Sequence, residues 1–313
     1  MKIEARDVDQ NRAGVWYGII AYTLWGFLPL YWKLMLAVPP LEILAHRILW
    51  SFVFMSLIVI VSGGWKNILP VLADRKKLML MFLCGFIVSA NWFTYIYAVN
   101  TGHVIEASMG YFINPLVVVL LGLTVFREKL TRWQLTALLL ASGGVMIITI
   151  QYGRVPWIAL LLAITFAAYG LTKKLARVDP VTGLVLETFI VMPVALVYIA
   201  SLETAGVGAL GTEPWLIKFV LAGTGIITAT PLFFYARGIE KTTFSMMGFL
   251  QYIAPSITLL LGIFVFKEHF SLTDLISFCF IWVALIIFTL ANTGILKEPV
   301  LVTTDQYRPT KEA

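Results

Sequence analysis

Arg47 and Glu187 are the side chains with most chemistry to offer in this sequence. Arg47 belongs to the stretch Glu42–Ile–Leu–Ala–His46–Arg47–Ile–Leu–Trp50, inside a long apolar run. An ionised group there costs about 2.5–3.5 kcal/mol on insertion scales, so by default it faces a cavity or a partner. At about 1.5 Å per residue it lies roughly 9 Å below the outer surface, placed to anchor an anionic or polar group. An imidazole takes up a proton near neutral pH, which makes His46 a candidate for a coupling proton, although a lone histidine more often serves packing. Glu187 stands seven residues after Pro180, as Arg47 stands seven after Pro40. About 10 Å of depth separates the two in a ~30 Å core, too much for a direct ion pair. They read as anchors near opposite mouths of a pathway. Local partners are at hand: Glu106 for Arg47, and Lys173 or Lys174 for Glu187. The competing reading is that both side chains snorkel to the headgroups.

Amides and phenols form a second group. Asn91, Trp92, Tyr95 and Asn100 are followed by Glu106, Ser108, Tyr111 and Asn114, and Gln251 and Tyr252 occupy the matching stretch later in the chain. Such groups must find partners in a bilayer, on another helix or on a solute. An aromatic box with a few amides suits a flat organic solute carrying polar groups; interfacial belts and interhelical bonds are the alternative.

Other chemistries have little support. His46, His103 and His269 are too dispersed for metal-ligand spacing, and Ser142 has no histidine near it to act as base. No G-x-x-x-x-G-K-[ST] loop is present to use ATP. Cys84 and Cys279 both fall inside apolar runs and indicate neither disulfide nor metal. The expectation is therefore no enzyme, no metal and no cofactor. The net charge of +6 comes from loops between apolar runs, not from a basic face interleaved with stacking aromatics, so no nucleic-acid partner is implied.

The elements that position these residues follow from composition. The chain is 60% hydrophobic and 13% charged, too apolar for a water-exposed surface. Ten stretches are long enough to cross a bilayer: 14–36, 41–62, 77–99, 104–126, 132–150, 155–175, 181–201, 215–237, 243–266 and 272–292. With both termini inside, the loops at 63–77, 127–132, 173–177 and 237–241 and the two ends hold most of the Lys and Arg, while the outer loops hold Lys33, Arg154, Lys218 and Lys267. That asymmetry follows the positive-inside rule.

The chain also restates itself. Ile113, Pro115, Leu121, Gly122, Phe126 and Glu128 recur 140 residues later as Ile253, Pro255, Leu261, Gly262, Phe266 and Glu268. Each copy has an odd number of spans, so the second runs upside down, the build of secondary transporters. The expected division is a cytoplasmic segment 1–13, a first five-helix repeat 14–150, a second, inverted repeat 155–292 and a disordered cytoplasmic tail 293–313. Pro115 and Pro255 are expected to kink two helices symmetrically. Gly14 and Gly18 form a GxxxG pair, which packs helices closely.

Gly110–Tyr–Phe–Ile–Asn–Pro115, Phe126–Arg–Glu128–Lys–Leu130–Thr, Gln134 and Gly143–Gly144–Val145 resemble the hallmark of EamA-type carriers in the drug/metabolite transporter superfamily. The second-span motif around Arg47, with Asn91–Trp92 and Glu106–Ala–Ser–Met–Gly–Tyr111, resembles the RarD branch, named for chloramphenicol sensitivity. The resemblance runs from about residue 12 to 292. It implies an all-α, ten-helix inverted-repeat permease of a bacterial inner membrane. Two positions depart from it: Val283 replaces the first copy's Gly143, and Ala254 its Asn114. The expected function is a secondary carrier moving a small organic solute by alternating access, with the lipid bilayer and the solute as partners and protons as a candidate coupling ion, whether monomer or homodimer. The other function class is a non-transporting membrane scaffold acting through helix contacts.

Overall fold

A peptide group left bare in hydrocarbon costs several kcal/mol, so apolar runs of this length must close their hydrogen bonds internally as helices. The computed structural model describes residues 2–101, 103–153, 155–267, 272–292 and 295–296, and among these it is all helix and loop. Arg154, Glu268 and the tail beyond 296 lie outside the described residues, as does the side chain of Asn100.

The helices in chain order are α1 (Lys2–Trp32), α2 (Pro40–Ser62), α3 (Trp65–Ala73), α4 (Arg75–Asn100), α5 (Val104–Thr124), α6 (Arg132–Tyr152), α7 (Trp157–Ala176), α8 (Pro180–Thr204), α9 (Ala209–Thr212), α10 (Trp215–Lys241), α11 (Phe244–Leu250), α12 (Ile253–Leu261) and α13 (Leu272–Asn292). Among the described residues nine segments are long and apolar enough to cross a membrane, one of them combining α11 with α12, and the shorter apolar run Leu275–Ala291 of α13 makes the tenth. The polar first residues are part of α1.

The helix packing has two-fold symmetry. α2 packs on α8, α5 on α11 and α6 on α13, each helix against its own repeat equivalent; α1 on α10 is matched by α7 on α4, and α5 on α7 by α12 on α1. The self-related pairs run antiparallel. Glu42 at the start of α2 meets Ala209 beyond the end of α8, and Gly122 near the end of α5 lies against Ser245 at the start of α11. A two-fold axis in the membrane plane imposes that arrangement. The Tyr252 hydroxyl donates to the Phe112 carbonyl at 3.3 Å. These residues are one repeat apart, so their contact marks the axis itself. Antiparallel packing also gathers the loops at 63–77, 127–132, 173–177 and 237–241 at one end of the bundle, called here the basic end.

The repeats differ at their prolines, where symmetric kinks were expected. α5 runs through Pro115 unbroken, but its equivalent is split: α11 stops at Leu250, α12 starts at Ile253, and a π-helical turn follows over Gly262–Phe266. Pro255 has no amide hydrogen, and its ring crowds the carbonyl four residues back, at Gln251. The ladder tightens in response, with Tyr252 N donating to Phe249 O at 3.2 Å and Ala254 N to Gln251 O at 3.3 Å. α3 falls within the stretch read from sequence as a loop. It buries Ile68 and Val71 and exposes Trp65 and Leu69, an amphipathic pattern that suits an interface.

Close approach of α2 and α10 depends on Gly225, where a Cβ would overlap the Trp50 backbone. Ala at 225 should therefore cost about 1–3 kcal/mol through overpacking, seen as a lower thermal midpoint in detergent. Ala at Gly143, whose added Cβ would come no closer than 3.5 Å to Phe280, should leave the midpoint nearly unchanged.

Candidate functional site

Pro40 opens α2 at a position where a missing amide hydrogen is harmless, and two turns later the helix delivers Arg47 to the interior. Its Nε donates to Thr228 Oγ1 of α10 at 3.1 Å. The guanidinium lies 4.8 Å from the ring centre of Trp32 and 5.3 Å from that of Trp92, and Tyr95 and Tyr111 are within electrostatic range. Groups on α1, α4, α5 and α10 thus surround a side chain that is still only half-buried. Tyr95 and Tyr111, 39% and 50% exposed, leave aromatic surface uncovered beside it. Among the described residues Arg47 has no carboxylate partner.

Glu106, the expected partner, is engaged elsewhere. It is buried, and its carboxylate accepts from the Tyr152 hydroxyl at 2.9 Å and from Ile158 N at 2.8 Å. The first amides of α7 have no partner within their helix, and the helix dipole favours an anion there. Glu106 is therefore a cap on α7, a role that became visible only once α5 and α7 were seen to be adjacent. Glu42 acts alike, its Oε1 accepting from Ala209 N at 2.6 Å. His46 is fully buried, with Nε2 4.0 Å from Glu42 and, among the described residues, no hydrogen-bond partner for either ring nitrogen.

The amides differ in how far their polar atoms are paired. Asn91 Nδ2 donates to Leu162 O at 2.9 Å and Thr165 Oγ1 at 2.7 Å, and Asn114 Nδ2 to Ala163 O at 2.6 Å. Both tie their helices to α7. Asn114 Oδ1, Gln251 Oε1 and Trp50 Nε1 are buried without a hydrogen-bond partner among the described residues. Gln251 sits at the break between α11 and α12, and Tyr252 beside it is buried on the two-fold axis.

Glu187 pairs with Lys173, 2.7 Å from Nζ to Oε1, and accepts from the Tyr169 hydroxyl at 3.0 Å; Lys173 also donates to that hydroxyl at 3.1 Å. All three side chains are buried. The Tyr169 ring stacks on Tyr235 at 6.3 Å and 12°, and Tyr22, Trp25 and Phe166 complete an aromatic plug. The plug was missed from sequence, although Tyr235 lies one repeat offset from Tyr95. Arg47 and Glu187 do not touch. They are linked through Trp92, which stacks on the guanidinium and also lines, with Val88, Tyr169, Glu187 and Thr188, a cavity of about 20 Å³, room for a water molecule.

Comparison with known proteins agrees with this architecture. The EamA-like transporter family model matches residues 12–150 and again 155–290. The chain is similar to "Uncharacterized transporter YojE" of Bacillus subtilis, 46% identical over 90% of this chain and 95% of that one, and to "Protein RarD" of Salmonella typhi, 39% identical over 91% and 97% respectively. A solved crystal structure covering 90% of this chain and 99% of its own superposes with a TM-score of 0.67 at 20% identity, a likeness of fold alone.

Proposed function

This chain belongs to the EamA-like transporter family, and we propose that it is a secondary-active permease moving a small organic solute across a bacterial inner membrane by alternating access. The basic end and both termini face the cytoplasm in this reading. The observation that carries it is Arg47: a half-buried guanidinium enclosed by four helices, with no protein counter-ion among the described residues. An intramembrane cation kept without a permanent partner is suited to one that comes and goes. Trp92, Tyr95 and Tyr111 flank the bound solute, and Gln251 offers an acceptor at the helix break. Toward the basic end the aromatic plug and the Glu187–Lys173–Tyr169 cluster close the route, so the site opens to the opposite end.

The scaffold alternative loses its main feature. Gly14 packs on Lys241 and Thr242, and Gly18 on Met247 and Leu250, so the GxxxG face is consumed inside the chain.

The test places single cysteines at 111 and 251 in a chain whose Cys84 and Cys279 are replaced by serine, reconstituted in oriented proteoliposomes. Alternating access predicts that an impermeant maleimide reaches each site from either side. Labelling confined to one side under every condition of solute and pH would refute the permease.

A further inference from the structure

We infer that the transported solute is a monocarboxylate, an organic acid bearing one negative charge and no ammonium group, on a flat apolar body, and that Thr228 is a positioning residue that aims Arg47 at it. This rests on the permease reading and names the chemistry of the same site. Thr228 Oγ1 occupies only Nε of the guanidinium, and Trp32 and Trp92 lie against it. Among the described residues the two terminal nitrogens have no hydrogen-bond partner and form a planar fork, the geometry that matches a carboxylate through paired charge-assisted hydrogen bonds.

Charge balance narrows the class. Lys33, the residue after Trp32, turns its Nζ onto the Phe266 ring, 3.5 Å from its centre, and makes no contact with Arg47. Among the described residues Arg47 is the cation of this site without a carboxylate partner, which matches one anionic charge, and a dianionic phosphate would bring a second charge into a desolvated site, which is costly. An amino acid meets the opposite difficulty. Its ammonium needs an acid, yet Glu42 and Glu106 are bound to backbone amides and Glu187 to Lys173. A cationic solute is repelled by Arg47 outright. The body of the solute is read from Tyr95 and Tyr111, whose rings meet edge-on at 6.3 Å and present uncovered aromatic surface, a good seat for a planar ring.

Four probes share one flat body and differ only in the headgroup: indole-3-acetate, indole-3-acetamide, tryptamine and tryptophan. Binding to the reconstituted full chain is measured by competition against radiolabelled indole-3-acetate and, in parallel, by direct equilibrium dialysis of each labelled probe. The expected order places indole-3-acetate at least about tenfold tighter than the other three. Thr228→Val should collapse the acid-to-amide ratio by about tenfold, with a lower thermal midpoint from the Nε that loses its acceptor, and Arg47→Lys should retain charge-based preference but lose part of the ratio. Tighter binding of the amide, the amine or tryptophan overturns the class, as does an acid-to-amide ratio that Thr228→Val leaves intact. Failure of all four probes to bind also overturns it. The permease reading survives each of these outcomes if cysteines at 111 and 251 still label from both sides, and falls only if they do not.

Discussion

Replacing Arg47 with alanine should reduce solute exchange in proteoliposomes by about a hundredfold or more while leaving the yield of inserted, monodisperse protein unchanged or higher. The two halves of that expectation have different causes. A charge-assisted hydrogen bond contributes about 1.5–3 kcal/mol, and a fork makes two, so losing the fork removes at least the 2.7 kcal/mol or so that corresponds to a hundredfold in binding. Insertion responds in the opposite sense. Arg47 is a charge within an apolar helix with no protein carboxylate among the described residues, so its removal relieves about 2.5–3.5 kcal/mol of insertion cost. A residue kept for stability would lower both readouts together, whereas one kept for its ligand lowers exchange alone. Arg47→Lys should fall between wild type and alanine, since an ammonium keeps the charge but not the planar pair of donors. Exchange that persists undiminished in Arg47→Ala removes Arg47 from the mechanism.

The features legible in the sequence are those set by one-dimensional patterns. Apolar run length placed the spans, lysine and arginine placement indicated their alternation, and the 140-residue offset linking Pro115 to Pro255 exposed the repeat. An odd number of spans per repeat then required inversion, and the self-related antiparallel pairs have that form. Features set by which helix stands beside which were not legible. Glu106 could be recognised as a polar residue in need of a partner, but only adjacency of α5 and α7 identifies that partner as the amide of Ile158. Asn91 and Asn114 likewise turn their amide hydrogens to α7. The unequal prolines are a middle case. Both remove a donor, yet of the two only Pro255 accompanies a break, where the ladder closes through shorter local bonds, a difference the two prolines alone do not encode. α3 was legible in principle: Trp65, Ile68, Leu69 and Leu72 recur at helical spacing, but the stretch is too short to span a membrane and charged residues flank it.

The second large effect concerns the buried pair below the aromatic plug. Glu187→Ala should destabilise the folded chain by about 3–5 kcal/mol, the usual cost of leaving one charge of a buried pair uncompensated. Lys173 is 8% exposed and its Nζ has two side-chain acceptors, Glu187 Oε1 at 2.7 Å and the Tyr169 hydroxyl at 3.1 Å. Without the carboxylate only a phenol remains to face the ammonium. Removing both charges acts differently. The double variant Lys173→Met with Glu187→Leu fills similar volume with apolar groups, and such exchanges are often neutral or stabilising by 1–4 kcal/mol. Chemical denaturation in detergent should therefore show a large loss in Glu187→Ala and recovery in the double variant. Exchange activity separates the remaining possibilities. If the pair only packs α7 on α8, the double variant transports as well as wild type. If the basic end opens by parting Tyr169 from Glu187, as alternating access through a plug of Tyr22, Trp25, Phe166, Tyr169 and Tyr235 requires, the double variant is stable and its exchange rate is altered, because the cluster that reports closure to the other helices is gone. A fully active Glu187→Ala protein of undiminished stability would contradict both accounts of the cluster.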